Sequence, residues 1–304
     1  MLRVDSMHPL QSLAVTLPSW FALLKPLYEL TKPGITGYVM ITAGASAFVG
    51  SRGSIDFAAI LHIVLGTGIA TAGALALNQY VERDFDALMT RTKGRPLPSG
   101  RLSPVQGLAA ATVLLVGGTI YLALSSGLRP AAIAAASAIA YLTIYTPLKR
   151  QSYIATLAGA VPGALPTLIG WTAATRAFEP AGLALFGIAY LWQLPHVLGL
   201  AWMLRDDYAK VGFKLIPEGG GHVIGLHMVL ATAVLLPASL SPTFLGYTGT
   251  WYATGAFILS TGFLLVSATA GWNMTDNAAR GVFFSSLLYH PLLLSLMVFD
   301  TVSV

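Results

Sequence analysis

Residues 57–100 read FAAILHIVLGTGIATAGALALNQYVERDFDALMTRTKGRPLPSG. The stretch up to Tyr80 is almost wholly apolar and long enough to carry a helix across a bilayer, which takes about 20 residues. Charge then arrives at once. Glu82, Asp84 and Asp86 are interleaved with Arg83 and followed by Arg91, Lys93 and Arg95. Only 10% of the chain is charged, so this concentration marks a membrane surface where chemistry takes place. Asn78, Glu82 and Asp86 stand at i, i+4 and i+8 and share one face if the helix continues, whereas Asp84 points elsewhere unless the helix ends near it. A few hard oxygen donors at an aqueous edge suit Mg²⁺, an ion that keeps waters and shares phosphate oxygens. Taken alone, the acidic triplet also fits a solvated helix end with ordinary i,i+4 pairs.

The rest of the chain fits a polytopic membrane protein. It has 304 residues, 55% of them hydrophobic, and a mean hydropathy of +0.71; a soluble domain carries about 25% charged residues. The absence of cysteine excludes disulfides, thiolate catalysis, zinc-thiolate and iron–sulfur sites. The net charge of +5 belongs to loops beside anionic lipid and does not imply a nucleic-acid partner. No cleavable signal peptide is expected, since Arg3 stands alone and Pro18 interrupts the segment. Nine apolar runs predict spans at 34–50, 57–80, 104–124, 130–146, 153–174, 180–203, 221–240, 247–270 and 281–299. Internal prolines such as Pro162, Pro166 and Pro195 are tolerated in such helices. Small residues at helix spacing, Gly66, Ala70 and Ala74 or Gly159 and Gly163, predict close helix contact. Of 17 Lys and Arg, all but Arg52, Arg129 and Arg176 fall on one side, which puts the N-terminus inside and the C-terminus outside. Residues 1–32 read as a cytoplasmic segment lying on the membrane surface, or as a disordered tail. Residues 33–304 show no internal boundary and read as one transmembrane domain.

A second acidic pair, Asp206 and Asp207, follows the sixth run at the same membrane face. Two carboxylate clusters across a helical bundle could bridge a diphosphate through metal ions, which make it a better leaving group. Bases are needed there too. Arg91, Arg95, Lys149 and Arg150 fit, although each singly also fits loop charge. His196 lies inside the sixth run, where an ionisable group is costly and often functional, but a hydrogen-bonded packing role fits equally. Tyr80, Tyr141, Tyr145, Trp171 and Trp192 lie at or within spans, where ring faces can stabilise a carbocation or form an interfacial belt.

These residues resemble the UbiA superfamily of intramembrane prenyltransferases over roughly 28–220. LTKPGI at 30–35 is similar to its opening motif, with Gly34 where Arg is more usual. The stretch 78–100 resembles its first Asp-rich motif, with Glu82 where Asp is more usual. YTPLKRQSYIATLAGAVPGALPTLIGW at 145–171 resembles its central motif, and WQLPH at 192–196 with DDYAKVGFKLIP at 206–217 resembles its third. The R-T-x-x-R-P and W-Q-x-P-H elements point to the branch whose acceptor is haem. The resemblance implies an all-α bundle of nine transmembrane helices in a bacterial inner membrane, with its active site on the cytoplasmic side. It implies conversion of farnesyl diphosphate, haem b and water to haem O and diphosphate. In this assignment Asn78, Glu82, Asp84, Asp86, Asp206 and Asp207 hold Mg²⁺; Arg91, Arg95, Lys149 and Arg150 neutralise the leaving group. Trp192, Gln193 and His196 line the haem pocket, with His196 contacting either iron or a propionate. The product would pass to a haem A synthase or a terminal oxidase. The alternatives are prenyl transfer to an aromatic acid or a chlorin, and an unrelated membrane transporter. A transport path should carry charge near the midplane, whereas these acids gather at one face.

Overall fold

The computed structural model describes residues 21–303, which are almost wholly helical. A short α1 (Phe21–Leu30) turns at Lys32 into α2 (Pro33–Gly50), and α3 (Phe57–Val81) is followed directly by the short α4 (Arg83–Leu88). After a turn-rich loop comes α5 (Pro104–Ser126). The next span is composite: α6 (Leu128–Ile139), a π-helical segment (Ala140–Tyr145) and α7 (Thr146–Leu148). Then follow α8 (Ile154–Thr175), α9 (Pro180–Met203), the short α10 (Arg205–Lys210), α11 (Gly220–Phe244), α12 (Thr250–Trp272) and α13 (Asp276–Phe299). Among the described residues the only β feature is a lone antiparallel bridge between Thr248 and Thr301. Residues 1–20 of the expected surface segment lie outside the described residues.

Among the described residues eight helices are long and apolar enough to cross a membrane: α3, α5, the α6–α7 composite, α8, α9, α11, α12 and α13. The chain is an all-α, multi-pass membrane protein. The first of the nine runs is α2, 18 residues long, which packs along α3 and α8. Two helix starts differ from the apolar runs by three residues or more, for identifiable reasons. The α12 helix begins at Thr250, not 247, because Gly246 takes φ 75° and Asp300 accepts from the Tyr252 N–H at 2.7 Å. The α13 helix begins at Asp276, not 281: Thr275 caps it, and Asp276 pairs with Arg205 at 2.7 Å. That polar first turn is invisible to hydropathy.

Lipid removes most of the hydrophobic force between helices, so close backbone contact and interhelical hydrogen bonds hold them together. A Cβ on Gly73 would come within 2.2 Å of the Leu115 nitrogen, and one on Gly118 within 2.3 Å of the Ala70 nitrogen, so α3 and α5 touch backbone to backbone. Ser46 donates to the Thr167 carbonyl at 2.6 Å and ties α2 to α8. In the C-terminal half a chain of hydroxyls does the same work. Tyr252 donates to the Ser239 carbonyl, Ser239 meets Ser260, and Ser260 meets Tyr289, at 2.7, 2.8 and 3.0 Å. Apolar side chains such as Val113, Leu124, Ile258 and Leu265 point outward, as lipid contact requires.

Candidate active site

The expected helix through Asn78, Glu82 and Asp86 is broken and resumed at Glu82. Glu82 takes φ −93° and ψ 5°, ends α3 and starts α4. The hydrogen-bond register survives the break: Glu82 N–H donates to Asn78 O at 2.9 Å and Asp86 N–H to Glu82 O at 2.8 Å. All three side chains are therefore buried on one side, while Asp84 points outward with its side chain 81% exposed.

Each buried carboxylate has a cation. Lys149 donates to both oxygens of Glu82, at 2.8 and 3.0 Å, and is itself buried. Burial pulls the Lys149 ammonium down, but Tyr145, Glu82 and Tyr141 together outweigh it and hold the group above its ordinary range. Arg95 reaches both oxygens of Asp86 through Nη1, at 2.8 and 2.7 Å. Asn78 donates to Thr146 Oγ1 at 3.1 Å and accepts from the Tyr141 hydroxyl at 3.2 Å. The π-helical segment places these partners. It stacks Tyr141 on Tyr145 at 5.4 Å and sets Lys149 Nζ 4.5 Å from the Tyr145 ring. Such segments recur at functional sites. Gly159 makes room for this, since a Cβ there would lie 2.5 Å from Tyr145.

Beneath the two tyrosines lies a mainly apolar cavity of about 210 Å³. Small and kinked positions open it: Ala70, Ala74, Ala134, Gly163, Pro162 and Pro166. Gln193 also lines it, packed against Gly163, whose Cβ would meet the amide at 2.2 Å.

The other expected residues are placed differently. Asp207 accepts from the backbone N–H groups of Thr90 and Arg91, at 3.0 and 2.9 Å, and from Lys210 at 2.7 Å. Lys210 and then these backbone donors hold its carboxyl well below the usual range. Asp207 thus fastens the loop that carries Arg91 and Arg95. Asp206 and Arg91 are exposed. Arg150 stacks over Phe85 at 4.9 Å and shares with Glu82 an outer cavity of about 570 Å³. Trp192 and His196 do not share the wall of Gln193. They face α13, where Trp192 Nε1 donates to Ser286 O at 2.7 Å and His196 Nδ1 meets Ser286 Oγ at 2.8 Å.

One residue escaped sequence reading. Lys32, half-buried and in the left-handed region at φ 47°, sits beside Arg95, Lys149, Glu82 and Asp86. Burial, with Arg95 and Lys149 next, pushes its ammonium down to about 7. Gln79 fixes this corner by donating to the Leu30 carbonyl at 2.6 Å. The available signal was the Lys-Pro pair that opens α2, which reads as loop charge unless the fold is known.

Comparison with known proteins agrees with this architecture. Residues 39–288 match the model of the UbiA prenyltransferase family. This chain belongs to the UbiA prenyltransferase family. A protoheme IX farnesyltransferase of Solibacter usitatus is 38% identical over 288 residues, covering 91% of this chain and 99% of that protein. One from Koribacter versatilis is 36% identical, covering 95% and 97%, and one from Aquifex aeolicus is 33% identical, covering 92% and 96%. Among solved structures, a UbiA homologue from Aeropyrum pernix K1 superposes with TM-score 0.68 at 18% identity, over 87% of this chain and 96% of that one. A UbiA homologue from Archaeoglobus fulgidus bound to GPP and Mg²⁺ gives 0.57 at 13% identity, covering 91% and 99%. These likenesses concern the fold. As a UbiA member, the chain is a prenyltransferase.

Among the described residues no three His, Cys, Asp or Glu side chains gather as a ready-made metal cluster. Mg²⁺ needs none, since one or two carboxylates with phosphate oxygens and waters complete its shell. The buried oxygens of Asn78, Glu82 and Asp86, of which Asn78 meets the cavity-lining Tyr141, are a donor set of that kind.

Proposed function

We propose that this chain is a protoheme IX farnesyltransferase of a bacterial inner membrane, a single nine-span domain whose active site opens to the cytoplasm. The chemistry rests on one observation: two buried cation–carboxylate pairs, Lys149–Glu82 and Arg95–Asp86, lie beside Tyr141 and Tyr145, the two tyrosines that line an apolar cavity. The choice of acceptor rests on the relatives' common activity and on the R-T-x-x-R-P and W-Q-x-P-H elements.

Farnesyl diphosphate would place its chain in the cavity and its diphosphate among Lys149, Arg95 and Lys32. Breaking the C1–O bond leaves the electron pair on the diphosphate, where these cations receive it. Arg91 and Arg150 on the rim would assist release. The faces of Tyr141 and Tyr145 stabilise the allylic cation, and the apolar walls keep water from it. The vinyl group of haem b then attacks C1, and water adds to the resulting cation, giving haem O. Bound Mg²⁺, held by Asn78, Glu82 and Asp86, would neutralise diphosphate charge; Asp207 would act by fastening the loop that carries Arg95, and the exposed Asp84 and Asp206 would stay outside the metal shell. The product would serve a haem A synthase or a terminal oxidase.

Mass spectrometry of haems extracted from cells expressing the chain should reveal haem O. Membranes given farnesyl diphosphate should modify haem b and leave an aromatic acid untouched. A prenylated aromatic acid with unmodified haem would overturn the assignment.

A further inference from the structure

Gln193 is the side chain that a mainly apolar cavity has least reason to hold. It stands about 15 Å along α9 from the helix end at Met203, a depth at which an amide without partners is costly. Its Oε1 and Nε2 both crowd Gly163, whose Cβ would meet them at 2.2 and 2.4 Å, yet among the described residues the amide makes no hydrogen bond. A second polar group reaches the same turn of α8. Pro166 has no N–H to offer the Pro162 carbonyl one turn earlier, so that oxygen is left open. Ser137 of α6 donates to it at 3.0 Å. With its one proton spent there, Ser137 Oγ is left to accept. The Pro162–Gly163 step thus brings an amide with free donors and a free acceptor together with an accepting hydroxyl. All four residues line the cavity that Tyr141 and Tyr145 also line. A buried water needs about 2–4 polar partners, and this step supplies them: Gln193 Nε2 to donate, Gln193 Oε1 and Ser137 Oγ to accept.

We infer that Gln193 and Ser137 hold the water that completes the reaction. The inference rests on the reading of haem b as acceptor. The terminal vinyl carbon bonds to C1 with its π pair as the C1–O bond gives its own pair to the diphosphate. The cation then sits on the vinyl carbon attached to the macrocycle. The held water forms the new C–O bond with a lone pair, and its proton passes to the released diphosphate. A water fixed at this step is not free to reach C1 while the allylic cation lasts.

The test uses the full chain in membranes, given farnesyl diphosphate and haem b, with the farnesylated haems separated by mass spectrometry. Wild type should give the alcohol. Gln193→Met, close in volume but apolar, should raise the ratio of alkene to alcohol about tenfold or more, because a cation that meets no water sheds a proton from the adjoining carbon. Ser137→Ala should raise it less. Gln193→Glu, neutral as the acid at this depth, keeps a donor and an acceptor and should hold the ratio near that of wild type. A packing role would follow volume and not polarity, and a product ratio does not depend on how much of a variant folds. An unchanged ratio in both Gln193→Met and Ser137→Ala, or a ratio raised equally by Gln193→Met and Gln193→Glu, overturns the inference and leaves the haem reading standing. A wild-type chain that leaves haem unmodified and prenylates a different acceptor overturns both.

Discussion

The two acid-bearing corners of the molecule are built alike and used differently. At each, a long apolar helix ends at one residue with nearly the same backbone, Glu82 at φ −93° and ψ 5° and Leu204 at φ −107° and ψ 13°. At each, a six-residue helix then begins Arg-Asp, RDFDAL in α4 and RDDYAK in α10. The first corner puts a carboxylate on the hinge itself and buries it with Asp86 against Lys149 and Arg95. The second has an apolar hinge and sends Asp207 outward to grip the loop of the first. One corner makes the charged pocket; the other holds its lid of backbone in place. Carboxylates at equivalent ends of two helices thus do not imply equivalent ligands.

Asp86→Ala should separate the corners most. Asp86 is fully buried, and removing it leaves Arg95 without its partner. Losing half of such a pair destabilises the site by about 3–5 kcal/mol, and misplacing the Arg95 that receives the leaving diphosphate should lower kcat/KM for farnesyl transfer by at least about 10²-fold, with membrane insertion retained. Near-normal turnover would remove Asp86 from the site. Asp207→Ala should cost less, about tenfold, because it loosens a loop through lost hydrogen bonds and deletes no cavity group. Limited trypsin digestion should then cut faster at Arg91 and Lys93, with the Mg²⁺ requirement unchanged. A large rise in the Mg²⁺ needed, without faster cutting, would make Asp207 a ligand and erase the contrast.

Much of this was legible in advance. The helices after residue 56 followed from apolar runs of bilayer length, because lipid demands them. The pocket carboxylates followed from i, i+4 spacing, since the hinge at Glu82 preserves helical register. Of the expected bases, Lys149 and Arg95 pair with buried carboxylates, whereas Arg91 and Arg150 are exposed. Nothing local distinguishes these bases; burial does, and burial depends on the π-helical segment. Trp192, Gln193 and His196 were read as one pocket, yet adjacent residues on a helix lie about 100° apart. Gln193 accordingly lines the cavity while its neighbours face α13. Lys32 was unreadable because its place depends on a left-handed backbone that brings it to residues 50 or more positions away.

Lys32 supplies a pH test of the pocket corner. Burial pushes its ammonium down to about 7, so it is mostly charged below that pH and mostly neutral above. Affinity for a non-reactive farnesyl thiodiphosphate should fall about fivefold as pH rises through 7, beyond any change from the ligand's own ionisation. Lys32→Arg keeps its charge throughout and should lose that extra slope, which isolates the lysine because both proteins see the same ligand. Equal slopes would place Lys32 outside the diphosphate site.

The smallest effect should come from the remaining acids, and it is informative because the residue type is constant. Asp84 and Asp206 begin the short helices α4 and α10, each in the first turn, where a carboxylate complements the helix N-terminus only weakly. Asp84 pairs with Arg83 at 3.7 Å, and exposed pairs of this kind contribute little. Asp84→Asn and Asp206→Asn, singly and together, should leave kcat/KM within about twofold. A direct metal ligand would behave otherwise: its loss would raise the Mg²⁺ concentration needed for half-maximal rate, and the double variant would be worse than either single one. Should that occur, the diphosphate and its ions must reach beyond the buried pairs to the outer turn of both short helices. The division between a pocket corner and a fastening corner would then give way to a single site spanning the two.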